Sequence, residues 1–247
     1  MKRTVMTMLI GLAVAATVAA GGFGQKDATP TVDQILDKYV QAIGGKAAVE
    51  KQTSLTAKGS FEIPAMGMGG NAEVYAKAPN KVLIIVDVSG VGLFQQGFNG
   101  TVGWASDPTQ GLREKSGAEL ASTKIEAEFH KELKFKQLFA KIEFKGKEKV
   151  GEKDAYVLLA TPTGSSAQKM YFDTQTGLLL RTDAEQETPE GKTPVEEYLD
   201  DYKDVEGVKI PFTRRSVLPQ MTFVIKLTDV KTNVTIDDAK FNKPSPQ

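Results

Sequence analysis

The apolar pattern of this chain changes period at residue 54, and that change dictates the architecture. Before it, Val32, Ile35, Leu36, Tyr39, Val40 and Ile43 recur at helical spacing and mark one apolar face. Thr31 with Gln34 three residues on is a capping-box signature, and Gly44-Gly45 stops the helix. Ala47 to Lys51 offers one more turn. From Ser54 to Ile63, Leu55, Ala57, Gly59, Phe61 and Ile63 alternate with polar neighbours, which is the period of a strand with one dry face. Ile142, Phe144 and Gly146 repeat the pattern, as do Phe223, Ile225 and Leu227, with Val224 on the wet side. Lys81 to Val88 is apolar on both sides until Asp87 and reads as a central strand.

Turn signals separate these runs at short intervals: Ala78-Pro79-Asn80, Asn99-Gly100, Asp173 to Gly177, Pro189-Glu190-Gly191 and Glu206-Gly207. Asp173 to Gly177, between Lys169–Phe172 and Leu178–Arg181, reads as a hairpin. About ten or eleven strands result, nearly all antiparallel because their connections are short. One helical block interrupts them. Ser116 with Glu119 is a second capping-box signature, Ala118, Ala121, Ile125, Phe129 and Leu133 follow at helical spacing, and Phe135, Leu138 and Phe139 extend the apolar surface. The fold class is mainly β (α+β): a curved antiparallel sheet capped by an N-terminal helix and a mid-chain helical insertion.

The N-terminus sets the compartment. Lys2 and Arg3 precede Val5 to Ala20, a run without charge, and Val18-Ala19-Ala20 supplies small residues for a signal peptidase. The run contains Thr7, Gly11 and Thr17 and ends in Gly21-Gly22-Phe23-Gly24, so it is short for a spanning helix of about 20 apolar residues. Residues 1–24 are expected to be a signal peptide cleaved after Ala20 or within a few residues, 25–30 a linker, and 31–247 a single domain in the periplasm. Removing the leader leaves 223 residues with 29 basic and 31 acidic side chains. That balance, without a basic block, argues against nucleic acid as partner. The chain has no cysteine. Disulfides, an N-terminal lipid anchor and thiolate metal sites are therefore excluded, and the fold rests on packing alone.

Catalytic signatures are missing. His130 is the single histidine and lies in the charged stretch Glu126 to Glu132, where it reads as a solvated surface residue rather than the base of a hydrolase. Asp200-Asp201, Asp204 and Asp237-Asp238 lack the oxygen ladder of a calcium loop and read as solvated loops. Gly90-Val-Gly92 lacks the lysine and helix of a phosphate loop. No cofactor is expected. Trp104 reads as core in preference to a cavity rim. Pro64 to Gly70 sets Met66 and Met68 among glycines, as a mobile hairpin tip, a hydrophobic gate or a Cu(I) thioether pair. A sheet of about ten strands curls; its helices then either complete a packed core or roof an apolar cavity.

The segments Ile35 to Gly45, Lys77 to Lys81, Phe98 to Trp104, Tyr171 to Leu180 and Tyr202 to Pro211, in this order, resemble the outer-membrane lipoprotein-sorting superfamily, the LolA-like periplasmic carriers, in their uncharacterised bacterial branch. The resemblance spans most of residues 31 to 243. It implies an unclosed half-barrel whose concave face accepts lipid, and non-covalent carriage of the acyl chains of a lipid or lipoprotein by a monomer without enzymatic activity. Membrane-embedded donor or acceptor proteins are the implied partners. On that reading the candidate ligand contacts are Met66, Met68, Leu83, Ile85, Phe94, Phe98, Ile125, Phe129, Phe139 and Phe172. An envelope sensor acting through a protein partner is the alternative, and a hydrolase using His130 a remote one.

Overall fold

A computed structural model describes residues 29–188 and 191–245. The expected signal peptide, most of the linker and the Pro189-Glu190 part of one expected turn lie outside the described residues.

Helix α1 (Val32–Ala42) forms where the periodicity placed it, and α2 (Lys46–Lys51) follows after two glycines. The α1 capping box is complete: the Thr31 backbone N–H donates to Gln34 Oε1 at 2.9 Å, and the Gln34 N–H donates to Thr31 Oγ1 at 3.2 Å. Gly44 is required at the end of α1. Its φ is +125°, and a Cβ there would lie 2.0 Å from the Gly207 carbonyl oxygen.

Among the described residues thirteen strands make one antiparallel sheet. They are β1 (Ser54–Ile63), β2 (Met68–Lys77), β3 (Lys81–Val88), β4 (Gly92–Phe98), β5 (Gly103–Asp107), β6 (Gly111–Glu114), β7 (Phe139–Val150), β8 (Lys153–Pro162), β9 (Gln168–Asp173), β10 (Leu179–Thr188), β11 (Gly191–Val205), β12 (Val208–Val217) and β13 (Thr222–Thr232). The sequence suggested ten or eleven, because short strands such as β6 are too brief to show a period. The spatial order is β6-β5-β4-β3-β2-β1-β13-β12-β11-β10-β9-β8-β7. Two meanders thus meet at a β1–β13 seam, and β6 and β7 are the open edges. As expected, β3 is internal, between β2 and β4. The β7 edge carries Lys141, Lys145, Lys147 and Lys149, charges that discourage edge-to-edge pairing.

Between the edges run α3 (Gly117–Ala127), a 3-10 turn (Lys131–Leu133) and α4 (Phe135–Leu138). The helical block is therefore broken, not continuous. Its expected capping box does not form: Ser116 makes no side-chain cap bond, and Glu119 instead accepts from Arg113 Nη1 and Nη2 at 2.7 and 2.9 Å. Helix α3 touches β4 and β5 and also β10. On a flat sheet β4 and β10 would be about 33 Å apart at ~4.8 Å per strand, whereas an 11-residue helix is only about 16 Å long. The sheet must therefore curve around α3, and the face bearing α3 is concave. Bulges at Lys58/Gly59, Leu179/Arg181, Phe139/Lys141 and Phe144/Gly146 assist the bend.

Inside the curve, Ile35, Leu36, Tyr39 and Ile43 of α1 pack with Phe135, Phe139, Leu158, Met170, Phe172, Leu199 and Val208. Outside it, residues 233–241 fold back over β1 to β5 and bury Trp104, Leu83, Ile236 and Phe241. Trp104 is core, as expected, and its Nε1–H donates to the Phe241 carbonyl at 3.0 Å. Gly97 is required beneath it, since a Cβ would stand 2.6 Å from the indole. Val224, expected on the wet side, is buried between Arg215 and Glu62 of the adjoining strands. The aspartates expected in solvated loops are indeed exposed, but three lie in a strand and several make structural bonds. Asp200 and Asp201 lie in β11, Asp204 accepts the Gly207 N–H, Asp237 caps the last 3-10 turn, and Asp238 pairs with Lys77 and Lys81.

Candidate functional site

Strand register places one apolar wall on the concave face away from α1. Phe61 pairs across with Ile225 on one side and Gly70 on the other; Ile63 pairs with Met68, Ala72 with Val86, and Val86 with Phe94. Paired residues share a face. Phe61, Ile63, Ala72 and Val88 are buried in this cluster, and Met68, Val86, Phe94, Phe223 and Ile225 are half-buried against it. Every member belongs to a strand; the helices that cover the α1 half contribute none. Phe61 and Phe223 hold the centre with ring centroids 5.5 Å apart. At the adjoining rim Met66 is 60% exposed, Val91 43% and Leu93 45%, on neighbouring hairpins. These are the large apolar side chains left most open, which is the informative kind of exposure.

Charge sits beside this wall. Arg214 of β12 pairs across with Ile225, so its side chain leaves the sheet on the same concave face. Its Nη1 lies 3.5 Å from Glu197 Oε1, and 42% of the side chain is accessible. Burial among protein atoms opposes its charge, but Glu197, Tyr202 and Glu132 outweigh that and leave the guanidinium's pKa raised. From the opposite wall, Lys115 Nζ donates to Gln96 Oε1 and to Thr123 Oγ1, both at 3.0 Å. Burial lowers its pKa, against the pull of Glu126 and Glu119. Glu126 stands one turn beyond Thr123 on α3, within electrostatic reach of Lys115 and Arg214. Its side chain is open to solvent, yet surrounding protein raises its pKa by desolvation.

The predicted contact residues fall in several places. Met68 and Phe94 lie on the apolar wall, and Met66 stands at its rim. Phe98 is on the same face but buried next to Gly103, over which Leu120 of α3 packs. Phe139 and Phe172 are buried in the α1 cluster, and Ile125 packs against it. Phe129 is half-buried, with its N–H on the Pro79 carbonyl at 3.0 Å. Leu83 and Ile85, expected on the inner wall, face outward beneath the C-terminal segment. The strand alternates, so Val86 and Val88 point inward and Leu83 and Ile85 outward. The helices α1, α2 and α4 thus pack over the β7–β12 half, α3 crosses from β4 and β5 to β10, and the cluster around Phe61 contains strand residues alone.

His130 is not a plain surface histidine. Its Nε2 lies 2.8 Å from the Gln52 carbonyl oxygen, and its ring stands edge-on to Phe129, tying the α3–α4 connection to the end of α2. Among the described residues no group of three or more His, Cys, Asp or Glu could hold a metal ion. A groove of about 480 Å³ at Leu159, Ser166, Ala167, Lys169, Asp183, Ala184 and Glu185 is open to solvent and mixes charged with apolar side chains. The sequence reading passed over Arg214, Lys115 and Glu126. Arg214 left a signal: Val208, Ile210 and Phe212 precede it in the same alternation, so a charge stands in an apolar phase.

No protein-family model matches the chain, and no curated protein matches it in sequence. Solved structures do match its shape. A DUF1329 family protein from Desulfovibrio piger shares 17% identity over 87% of this chain and 98% of that one, with a TM-score of 0.58. A LolA superfamily protein from Nitrosomonas europaea shares 14% over 87% and 99%, also at 0.58. An outer membrane lipoprotein-sorting protein domain from Vibrio parahaemolyticus shares 16% over 84% and 96%, at 0.55. The chain therefore has the LolA-like fold, an unclosed antiparallel half-barrel with helices on its concave side.

Proposed function

We propose that the protein is a periplasmic carrier that holds the acyl chain of a lipid or lipoprotein non-covalently against the strand-built apolar wall, without enzymatic activity and as a monomer. The observation that carries this reading is that wall: Phe61, Phe94, Phe223 and Ile225 line the concave face with no helical residue among them. The fold likeness to a lipoprotein-sorting domain supports it. The energetics suffice, since each buried methylene contributes about 0.8 kcal/mol and roughly a dozen give on the order of 10 kcal/mol before ordering costs. Met68 and Phe94 would contact the chain and Met66 would stand at the entrance. Export through residues 1–24 places it in the periplasm, between donor and acceptor membranes. The test is extraction of protein purified from its native host, read by mass spectrometry, with uptake of a fluorescent fatty acid alongside. Co-purified lipid and saturable uptake are expected; protein that carries no lipid and takes up no fatty acid refutes carriage.

A further inference from the structure

We propose that Lys115, Glu126 and Arg214 form a seat for the head of the carried molecule, and that this head is zwitterionic, an anionic phosphate or carboxylate next to a cationic amine. The inference rests on the carrier reading and adds the class of cargo.

Three separate elements bring these charges to the concave face: the β6–α3 connection, α3 and β12. Lys115 and Glu126 attract one another there, and Lys131 also draws on Glu126, but among the described residues neither attraction closes into an ion pair. Among the described residues Lys115 meets only the neutral oxygens of Gln96 and Thr123, and Glu126 makes no hydrogen bond or ion pair. Arg214 has one long contact, to Glu197 at 3.5 Å, which leaves most of its N–H groups open. Charges left unpaired in a partly desolvated place are costly, and a ligand of matching charge relieves that cost. The signs define the ligand. A lone carboxylate would meet Glu126 and Glu197, and a lone amine would meet Lys115 and Arg214. A head bearing both finds a partner for each. Arg214 also lies directly across from Ile225, a member of the apolar wall, so head seat and tail wall are adjacent on one surface.

The experiment is calorimetric titration of the full chain, below the micellar range, with amphiphiles sharing a palmitoyl chain: lysophosphatidylethanolamine, lysophosphatidylglycerol and monopalmitoylglycerol. Free phosphoethanolamine is added as a competitor. The zwitterionic lipid should bind about tenfold or more tighter than the other two, and free phosphoethanolamine should not displace it. Arg214→Gln and Glu126→Gln should each remove about tenfold of that affinity, as expected for a lost charge-assisted bond. Both should weaken the zwitterionic lipid far more than monopalmitoylglycerol, circular dichroism shows that the variants are folded, and Arg214→Lys should retain part of the preference. Equal affinity for the three lipids, or variants that weaken all of them alike, overturns the head seat while leaving carriage standing. Efficient competition by free phosphoethanolamine overturns it in favour of a soluble zwitterion. Binding of none of the lipids refutes the carrier reading itself.

Discussion

Replacing Phe241 by alanine tests whether the C-terminal segment is part of the scaffold or a loose tail. The ring is fully buried against Trp104, Leu83 and Ile236 on the outer face. Truncating a buried phenylalanine costs about 3–5 kcal/mol, the spread reflecting how far the site can collapse. The 3-10 turn that carries it (Asp238–Phe241) is short and held by the Asp237 cap and the Lys77 and Lys81 contacts to Asp238. Some collapse is therefore expected, which puts the loss at the low end, about 3 kcal/mol. Domains are commonly stable by about 5–15 kcal/mol, so the variant should remain folded at ambient temperature. Urea unfolding followed by the fluorescence of Trp104, the single tryptophan, reads both the energy and the local environment. Emission should shift to the red in the native baseline, because the indole loses its neighbour. Fatty-acid uptake should be unchanged, because the segment covers the face opposite the apolar wall. A loss below about 1 kcal/mol with unaltered emission would refute the packing argument.

Phe94→Ser, on the half-buried inner wall, should weaken fatty-acid binding several-fold with little change in melting temperature, whereas Leu83→Ser on the outer face should do the reverse; parallel uptake and thermal-melt measurements separate them. Thr31→Ala removes the oxygen that caps α1 and should cost about 1 kcal/mol in chemical denaturation. Desolvation raises the Glu126 carboxyl in the folded protein, so folding binds a proton there. Stability is then lost as pH rises from the unfolded carboxylate value near ~4.3 through the higher folded value, and Glu126→Gln should raise the melting temperature at pH ~7 with a gain that vanishes near pH ~4. Lys77 and then Lys81 bond to Asp238 and lower its carboxyl to about 2; carboxyl-detected NMR titration should show this, and Lys77→Met should return the value toward the ordinary range.

The fold was legible wherever one face of an element is dry. Helix α1 with its cap, β1 and the internal strand β3 follow directly from spacing, because burial on a single side imprints a period. What escaped is what long-range contact decides. Glu119 left its cap because Arg113 offers a bidentate partner, and a local pattern cannot report that competition. Leu83 and Ile85 resemble Val86 and Val88 in composition, and a strand apolar on both sides does not say which side faces inward. The C-terminal segment covers the outward pair with Ile236 and Phe241, apolar residues too few and too irregularly spaced to announce that it folds back. The proposed head seat was hidden more deeply. Lys115 precedes α3 and Glu126 lies near its end, but Arg214 lies in a strand of the other meander, and no local pattern reports that the curved sheet turns its side chain to the same concave face.

The seam between the two meanders also fixes when the molecule can become itself. Strand β13, the last to leave the ribosome, is the one that bonds to β1, the first, across nearly the whole chain. Neither half alone makes the concave surface, so the apolar wall of β1 to β4 and β13 cannot form until β13 has been made. A chain cut off before Thr222 would consequently be left as two unjoined ribbons with raw margins.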